Sequence, residues 1–132
     1  MLVMTFGTFD RFHPGHEYYL REAQKNWDTL ITVLARDKTV ERIKWKPPRD
    51  TEDVRLRNVL ASGLTEQAIL WSLSDPYQVI LTYKPDILCF GYDQNSFNGV
   101  ALDQFLHEHS LDPRIVRINS FEPKKWKSSL LL

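Results

Sequence analysis

Short, continuous apolar runs that alternate with helical segments constrain the fold of this chain most strongly. Examples are Leu2–Phe6, Thr29–Ala35 and Ile87–Phe90, in which apolar residues follow one another instead of alternating with polar ones. Strands that are apolar on both faces are buried between layers, and strands separated by helices are usually parallel. The pattern therefore predicts a Rossmann-like, three-layer α/β/α domain with a parallel sheet of roughly five strands.

The rest of the chain fits the same alternation. Further strands are predicted at Ala68–Leu70 and Arg114–Ile118, and the predicted helices are Pro14–Asn26, Asp37–Lys44, one starting at Thr51, one opened by Asp75 and Pro76, and Val100–His109. A length of 132 residues suits one domain, which we expect to span residues 1–132. Ligands of such sheets bind beyond the carboxyl ends of the strands, so the chemistry is expected in the loops that follow them.

Composition excludes several classes of protein. The chain has 17 Lys and Arg against 17 Asp and Glu, and 42% of its residues are apolar. A disordered chain would be less apolar and more charged, and a nucleic-acid-binding surface would be more basic. No apolar stretch is long enough to span a membrane, and no secretion signal is visible. Because Cys89 is the only cysteine, no internal disulfide can form, and we expect a cytoplasmic protein.

The loop after the first strand carries the strongest chemical signal. Gly7 permits a tight turn, and His13 and His16 lie three residues apart at the start of a helix, so both can face one cavity. Free N–H groups at that helix start attract anions, and imidazoles add hydrogen bonds or charge. An anion site suited to phosphoryl chemistry is the leading interpretation. Two metal ligands, or two histidines that only cap the helix, are the alternatives.

The same loop resembles a known family. The residues Gly7-Thr8-Phe9-Asp10 and His13-Pro14-Gly15-His16 are similar to the GTFD…HxGH motif of the cytidylyltransferase-like nucleotidyltransferases. The resemblance implies transfer of a nucleoside monophosphate from ATP or CTP to a phosphorylated small molecule, with release of pyrophosphate. The segments Ala35–Asp37 and Gly91–Gln94 resemble the archaeal-type FAD synthase branch, and Lys127–Ser129 resembles the serine- and threonine-rich segment that closes the site in the whole family. This branch implies an FMN adenylyltransferase. A glycerol-3-phosphate cytidylyltransferase making CDP-glycerol and an inactive nucleotide-binding module are the alternatives.

The resemblance also implies roles for individual residues. It assigns catalytic roles to His13, His16 and Lys44, and it assigns nucleotide contacts to Thr8, Phe9, His13, His16, Lys46, Arg55, Asp93, Ser128 and Ser129. For Arg55, a surface charge is the alternative. None of these residues is assigned as a metal ligand, because Mg²⁺ would bridge the oxygens of the triphosphate. The resemblance further implies a homodimer.

Three tryptophans depart from the family pattern. Trp27, Trp45 and Trp71 stand where members of this family typically have glycine, in a chain with 4 Trp and only 5 Gly. Glycine suits turns because it adopts positive φ at little cost, which a large side chain does not. Our hypothesis is that one codon meaning glycine in the source was read as tryptophan. Deliberate substitution is the alternative.

Overall fold

The computed structural model describes residues 1–25, 29–91 and 99–118, and within these ranges strands and helices alternate. In chain order the elements are β1 (Leu2–Gly7), α1 (Pro14–Gln24), β2 (Thr29–Leu34), α2 (Asp37–Lys44), α3 (Glu52–Ala61), β3 (Gln67–Leu70), α4 (Gln78–Tyr83), β4 (Ile87–Gly91), α5 (Gly99–Glu108) and β5 (Arg114–Ile118).

The five strands form one sheet in the order β3-β2-β1-β4-β5, and every neighbouring pair is parallel. The predicted Rossmann-like class and strand number are therefore confirmed. The chain winds outward from β1 in both directions, so the order reverses between β1 and β4. In open sheets of this kind ligands bind beyond the strand ends at that reversal. The loop that leaves β1 stands at this point.

Helices cover both faces of the sheet because successive strand side chains point to opposite sides. One face packs against α1 and α3 in a core that includes Val3, Leu20, Leu30, Val59 and Ile87. The other face packs against α4 and α5 in a core that includes Met4, Phe6, Ile80, Leu88 and Leu102. Among the described helices, none combines the length and the apolar character needed to cross a bilayer.

Helix α4 begins at Gln78, later than the predicted start at Asp75 and Pro76. The Asp75 carboxylate accepts a hydrogen bond from the N–H of Tyr77 at 3.0 Å, which closes a local turn. The carbonyl of Pro76 accepts a hydrogen bond from the indole Nε1 of Trp71 at 2.7 Å. Because the buried indole engages this carbonyl, the preceding residues form a turn and the helix starts after it.

Candidate active site

The β1–α1 loop, residues 7–16, folds back over the end of the central strand. Phe9 and Arg11 both have positive φ, 57° and 50°, which costs a non-glycine residue about 1 kcal/mol or more. The ring of Phe9 is nevertheless buried, at 3% exposure. A Cβ atom on Gly7 would lie 2.7 Å from Cε2 of that ring. Glycine at position 7 therefore lets the Phe9 ring cover the strand end, and this packing offsets the backbone strain.

The two motif histidines cap α1 reciprocally. His13 is the N-cap residue, and its Nδ1 accepts a hydrogen bond from the N–H of Gly15 at 3.0 Å. The Nδ1 of His16 accepts a hydrogen bond from the N–H of His13 at 3.2 Å. The two rings stack with their centroids 3.8 Å apart. A Cβ on Gly15 would lie 2.8 Å from Cε1 of His13, so this arrangement requires glycine there. The capping geometry considered above is thus present.

Within the described residues, capping leaves each imidazole with a free donor. A neutral imidazole has one donor and one acceptor nitrogen, so with both Nδ1 atoms accepting, the protons of His13 and His16 lie on Nε2. Burial, and then the neighbouring His13, lowers the pKa of His16 from 6.5 to about 4. Burial also lowers the pKa of His13. Both rings are therefore neutral at neutral pH and present N–H groups beside the positive end of α1.

Asp10 fixes the β1–α1 loop to the segment before α3. Its two carboxylate oxygens accept hydrogen bonds from the N–H groups of Arg49 and Asp50, both at 2.8 Å. Burial by itself would raise the pKa of Asp10, but these backbone bonds and the charge of Arg55 bring it below its usual value. Sequence reasoning included Asp10 in the motif without a role. The structure shows it as an anchor between two loops.

Arg55 is buried, at 0% exposure, so the surface-charge alternative for this residue is wrong. Its Nη1 donates to the carbonyl of Thr8 and to that of Ala35, both at 2.8 Å. Its Nη2 donates to Oδ1 of Asp37 at 2.7 Å, and its Nε donates to the carbonyl of Asp50 at 3.2 Å. Four N–H donors of the guanidinium thus join the ends of β1 and β2 to the starts of α2 and α3.

A pair of carboxylates ties the starts of α2 and α3 together. Glu52 accepts from the N–H of Asp37 at 2.8 Å, and Asp37 accepts from the N–H of Glu52 at 3.1 Å. The other oxygen of Glu52 pairs with Arg36 at 3.3 Å. Each carboxylate therefore satisfies the first free N–H of the other helix. Sequence reasoning missed this clamp, although both acids lie in first helical turns, where they are expected to cap.

The lysines assigned to the phosphates lie on an exposed segment. Lys44 ends α2, Lys46 follows two residues later, and both side chains are exposed. Between them Trp45 is the C-cap of α2 in a left-handed conformation, with φ 64° and ψ 12°. Its side chain is 91% exposed. Position 45 thus has the backbone that favours glycine at helix ends. Because its indole is exposed, replacing it would leave no cavity in the core.

Trp71 differs from Trp45 in both its backbone conformation and its burial. Trp71 has a negative φ, is 8% exposed, and packs on Phe6 with ring centroids 5.2 Å apart. This position does not have the strained backbone found at Trp45.

Four residues singled out in the sequence lie outside the described residues, namely Trp27, Asp93, Ser128 and Ser129. In the ranges that are described, no group of three or more His, Cys, Asp or Glu side chains is placed to hold a metal ion.

Comparison with known proteins places the chain in a family. The sequence model of the cytidylyltransferase-like family matches residues 4–130. The chain belongs to the cytidylyltransferase-like family. The resemblance seen in the β1–α1 loop is therefore confirmed over nearly the whole chain, and the protein is a nucleotidyltransferase enzyme.

Relatives and solved structures agree with this assignment. The chain is 41% identical to an FAD synthase of Archaeoglobus profundus over 96% of its length and 80% of the relative. It is 38% identical to an FAD synthase of Aciduliprofundum boonei, over 90% of the chain and 78% of the relative. A crystal structure of the lipopolysaccharide core biosynthesis protein from Thermoplasma volcanium is similar, with TM-score 0.83, 35% identity, and 92% and 98% coverage. A pantoate–β-alanine ligase from Francisella tularensis, 12% identical with TM-score 0.59 over 96% of this chain and 66% of its own, shares the fold.

Proposed function

We propose that this protein is an FMN adenylyltransferase, which makes FAD and pyrophosphate from ATP and FMN. The observation that carries the proposal is the pair of FAD synthases at 38% and 41% identity, each matched over most of both chains. In this reaction a phosphate oxygen of FMN attacks the α-phosphorus of ATP. A new P–O bond forms to FMN, the bond to the bridging oxygen breaks, and pyrophosphate leaves with that oxygen.

The geometry of the β1–α1 loop supports this chemistry. In the part of the chain that the structure describes, the Nε2–H groups of His13 and His16 are free donors at the positive, amino end of the 11-residue helix α1. We assign to them the stabilisation of negative charge on the transferred phosphate and the leaving pyrophosphate. Because both rings are held by backbone hydrogen bonds, little reorganisation is needed during the reaction. One preorganised donor of this kind contributes about 3–4 kcal/mol to transition-state binding.

No protein nucleophile is required for this step. The family reaction joins two phosphates directly, so the protein contributes position and charge stabilisation. Lys44 and Lys46, on their exposed segment, are assigned to the phosphates of ATP. The backbone of Thr8 and Phe9, with Asp93, Ser128 and Ser129, is assigned to nucleotide contacts. Arg55 is assigned a supporting role, because its guanidinium already serves the carbonyls at the ends of β1 and β2.

Mg²⁺ is proposed to enter with ATP. Both oxygens of Asp10 accept backbone hydrogen bonds, so this carboxylate of the loop is occupied by the protein itself. Phosphate oxygens are hard ligands of the type that Mg²⁺ prefers. Bound to the triphosphate, the ion would neutralise part of its charge. A cytoplasmic location, expected from the single cysteine, and a homodimer, expected from the family resemblance, are further parts of the proposal.

A substrate panel tests the proposal. Each of ATP and CTP is combined with FMN or glycerol 3-phosphate in the presence of Mg²⁺, and pyrophosphate release is measured. We expect release with ATP and FMN. Release only with CTP and glycerol 3-phosphate would replace the proposal by the cytidylyltransferase alternative. Thermal stabilisation by a nucleotide, with no release for any pair, would indicate the inactive binding module.

A further inference from the structure

Backbone pairing between the neighbouring strands β1 and β4 ends before either strand does. β1 is paired with β2 as far as its last residue, Gly7, and β4 is paired with β5 as far as Gly91. The pairing of β1 with β4, however, ends at Thr5 and Cys89. The last two residues of each strand are therefore not paired along this boundary, although the rings of Phe6 and Phe90 stack across it with centroids 5.3 Å apart. This is also the point where the strand order reverses. We call this unpaired stretch the β1–β4 seam.

The hydroxyl group of Tyr19 sits at the start of the seam. Its single proton is shared between two carbonyl oxygens, that of Cys89 at 2.9 Å and that of Phe6 at 3.3 Å. Cys89 of β4 belongs to the last β1–β4 pair, and Phe6 of β1 directly follows that pair. Tyr19 itself comes from α1, which covers one face of the sheet. One side chain thus bridges both strands where their pairing stops.

The ring of the same tyrosine supports the β1–α1 loop. Its centroid is 6.0 Å from that of Phe9, and the Phe9 ring meets the imidazole of His16 edge-on at 5.4 Å. Gly7 lies directly against the ring of Phe9, since a Cβ atom at position 7 would be only 2.7 Å from it. The contacts therefore run from the seam, through Tyr19 and Phe9, to a motif histidine.

We propose that Tyr19 is a positioning residue of the active site, whose hydroxyl fixes the spacing of β1 and β4 at the seam beside the nucleotide and whose ring braces Phe9 against His16. This role deepens the proposed function, on which its kinetic consequence rests. Without the hydroxyl, two carbonyls lose a donor and the seam loses its bridge. Without the ring, Phe9 and His16 lose a wall of their packing. Tyr19 touches neither reacting group and acts through its neighbours.

Tyr19→Phe tests the hydroxyl. It keeps the ring, so the fold and the Phe9 contact are expected to persist. We expect kcat/KM for ATP to fall about tenfold or more, because small displacements of a binding site are costly to catalysis. KM for FMN is expected to stay within about twofold, since the seam lies beside the nucleotide. Tyr83→Phe, a half-buried tyrosine on α4 at the opposite face, is the matched control and should change neither constant.

Tyr19→Leu tests the ring through a measurement that needs no activity. The imidazole of His16 is titrated by NMR in the substrate-free protein. The titratable groups that influence it, His13 and Asp10, remain in the variant. In the unaltered protein burial holds the pKa of His16 near 4, and we expect Tyr19→Leu to raise it toward 6.5 as water reaches the ring. Tyr83→Leu should leave this titration in place.

The two readouts separate the role of Tyr19 from the identity of the substrate. A raised pKa of His16 in Tyr19→Leu supports the brace even if FMN proves not to be the acceptor. In that case the kinetic arm is run with whichever nucleotide and acceptor the panel identifies. A His16 titration that is the same in Tyr19→Leu and in the unaltered protein would overturn the brace. Unchanged kcat/KM for the nucleotide in Tyr19→Phe would overturn the role of the hydroxyl at the seam.

Discussion

Trp45 and Trp71 are expected to respond in opposite directions when each is replaced by glycine. Trp45 has φ 64° and is 91% exposed. A left-handed backbone costs a side-chain-bearing residue about 1–2 kcal/mol, which glycine does not incur. Glycine in turn loses about 0.4–1 kcal/mol more on folding, through the entropy of its unfolded chain. Trp45→Gly should therefore stabilise the protein by about 0.5–1 kcal/mol.

Trp71 is expected to be needed for stability. Its ring is 8% exposed and packs on Phe6, and its indole donates to the carbonyl of Pro76 at 2.7 Å. Truncating a buried tryptophan costs about 3–5 kcal/mol. The carbonyl left without a donor adds about 1 kcal/mol or more. Trp71→Gly should therefore destabilise the protein by about 4–6 kcal/mol, close to the whole stability of many domains.

Urea unfolding followed by far-UV circular dichroism measures both changes without relying on tryptophan fluorescence. Trp45→Ala is the matched control, because it removes the indole but keeps a Cβ in the left-handed conformation. Trp45→Gly should be more stable than Trp45→Ala by about 0.5–1 kcal/mol. Equal stability of these two variants would refute the assignment of strain to the backbone at position 45. A Trp71→Gly variant as stable as the unaltered protein would refute the packing described for Trp71.

The remaining predictions concern the site and the gene. His16→Ala should lower turnover by about 10²–10³-fold, with an unchanged circular dichroism spectrum, because it removes a charge-stabilising donor; turnover near normal would contradict its assignment. Since the pKa of His16 is about 4 when folded and near 6.5 when unfolded, the unfolded chain takes up the proton first. The free energy of unfolding should then fall by about 2–3 kcal/mol from pH 7 to pH 4, and His16→Asn should flatten this slope in urea titrations. Arg55→Ala should destabilise by about 3–5 kcal/mol by stranding buried acceptors, whereas Arg57→Ala, at an exposed site of the same helix, should stay within about 0.5 kcal/mol in the same assay. Finally, sequencing the source gene should find the same UGA codon at all three tryptophans that stand in glycine positions; different codons would end the recoding hypothesis.

The fold could be predicted from the sequence because local residue patterns and the burial of the strands agree along most of the chain. Helix Asp37–Lys44 and strand Arg114–Ile118 have the predicted bounds. Apolar runs of four to seven residues leave few alternatives to buried parallel strands once helices separate them. The start of α4 was mispredicted because an indole from the preceding loop engages the Pro76 carbonyl, a contact that no local rule contains.

The candidate site could be predicted from the sequence only in part. The motif histidines could be identified because their spacing places both on one helix start. The burial of Arg55 could not, since its acceptors come from Thr8, Ala35 and Asp37, which are distant in sequence. The role of Tyr19 depends on where two strands stop pairing, which is a property of the assembled sheet. Predictions from sequence therefore stop where a side chain is defined by partners from several elements.

The most direct measurement follows the α-phosphorus of ATP. The protein is incubated with Mg²⁺, FMN and ATP labelled at that atom, and the products are separated. We predict that the label appears in FAD, that one pyrophosphate without label is released for each FAD formed, and that His16→Ala abolishes most of this transfer. If ATP binds but the label stays in ATP, the proposed adenylyl transfer to FMN is contradicted. The proposal is also contradicted if transfer is seen only in a parallel incubation with labelled CTP and glycerol 3-phosphate, in which the label enters CDP-glycerol.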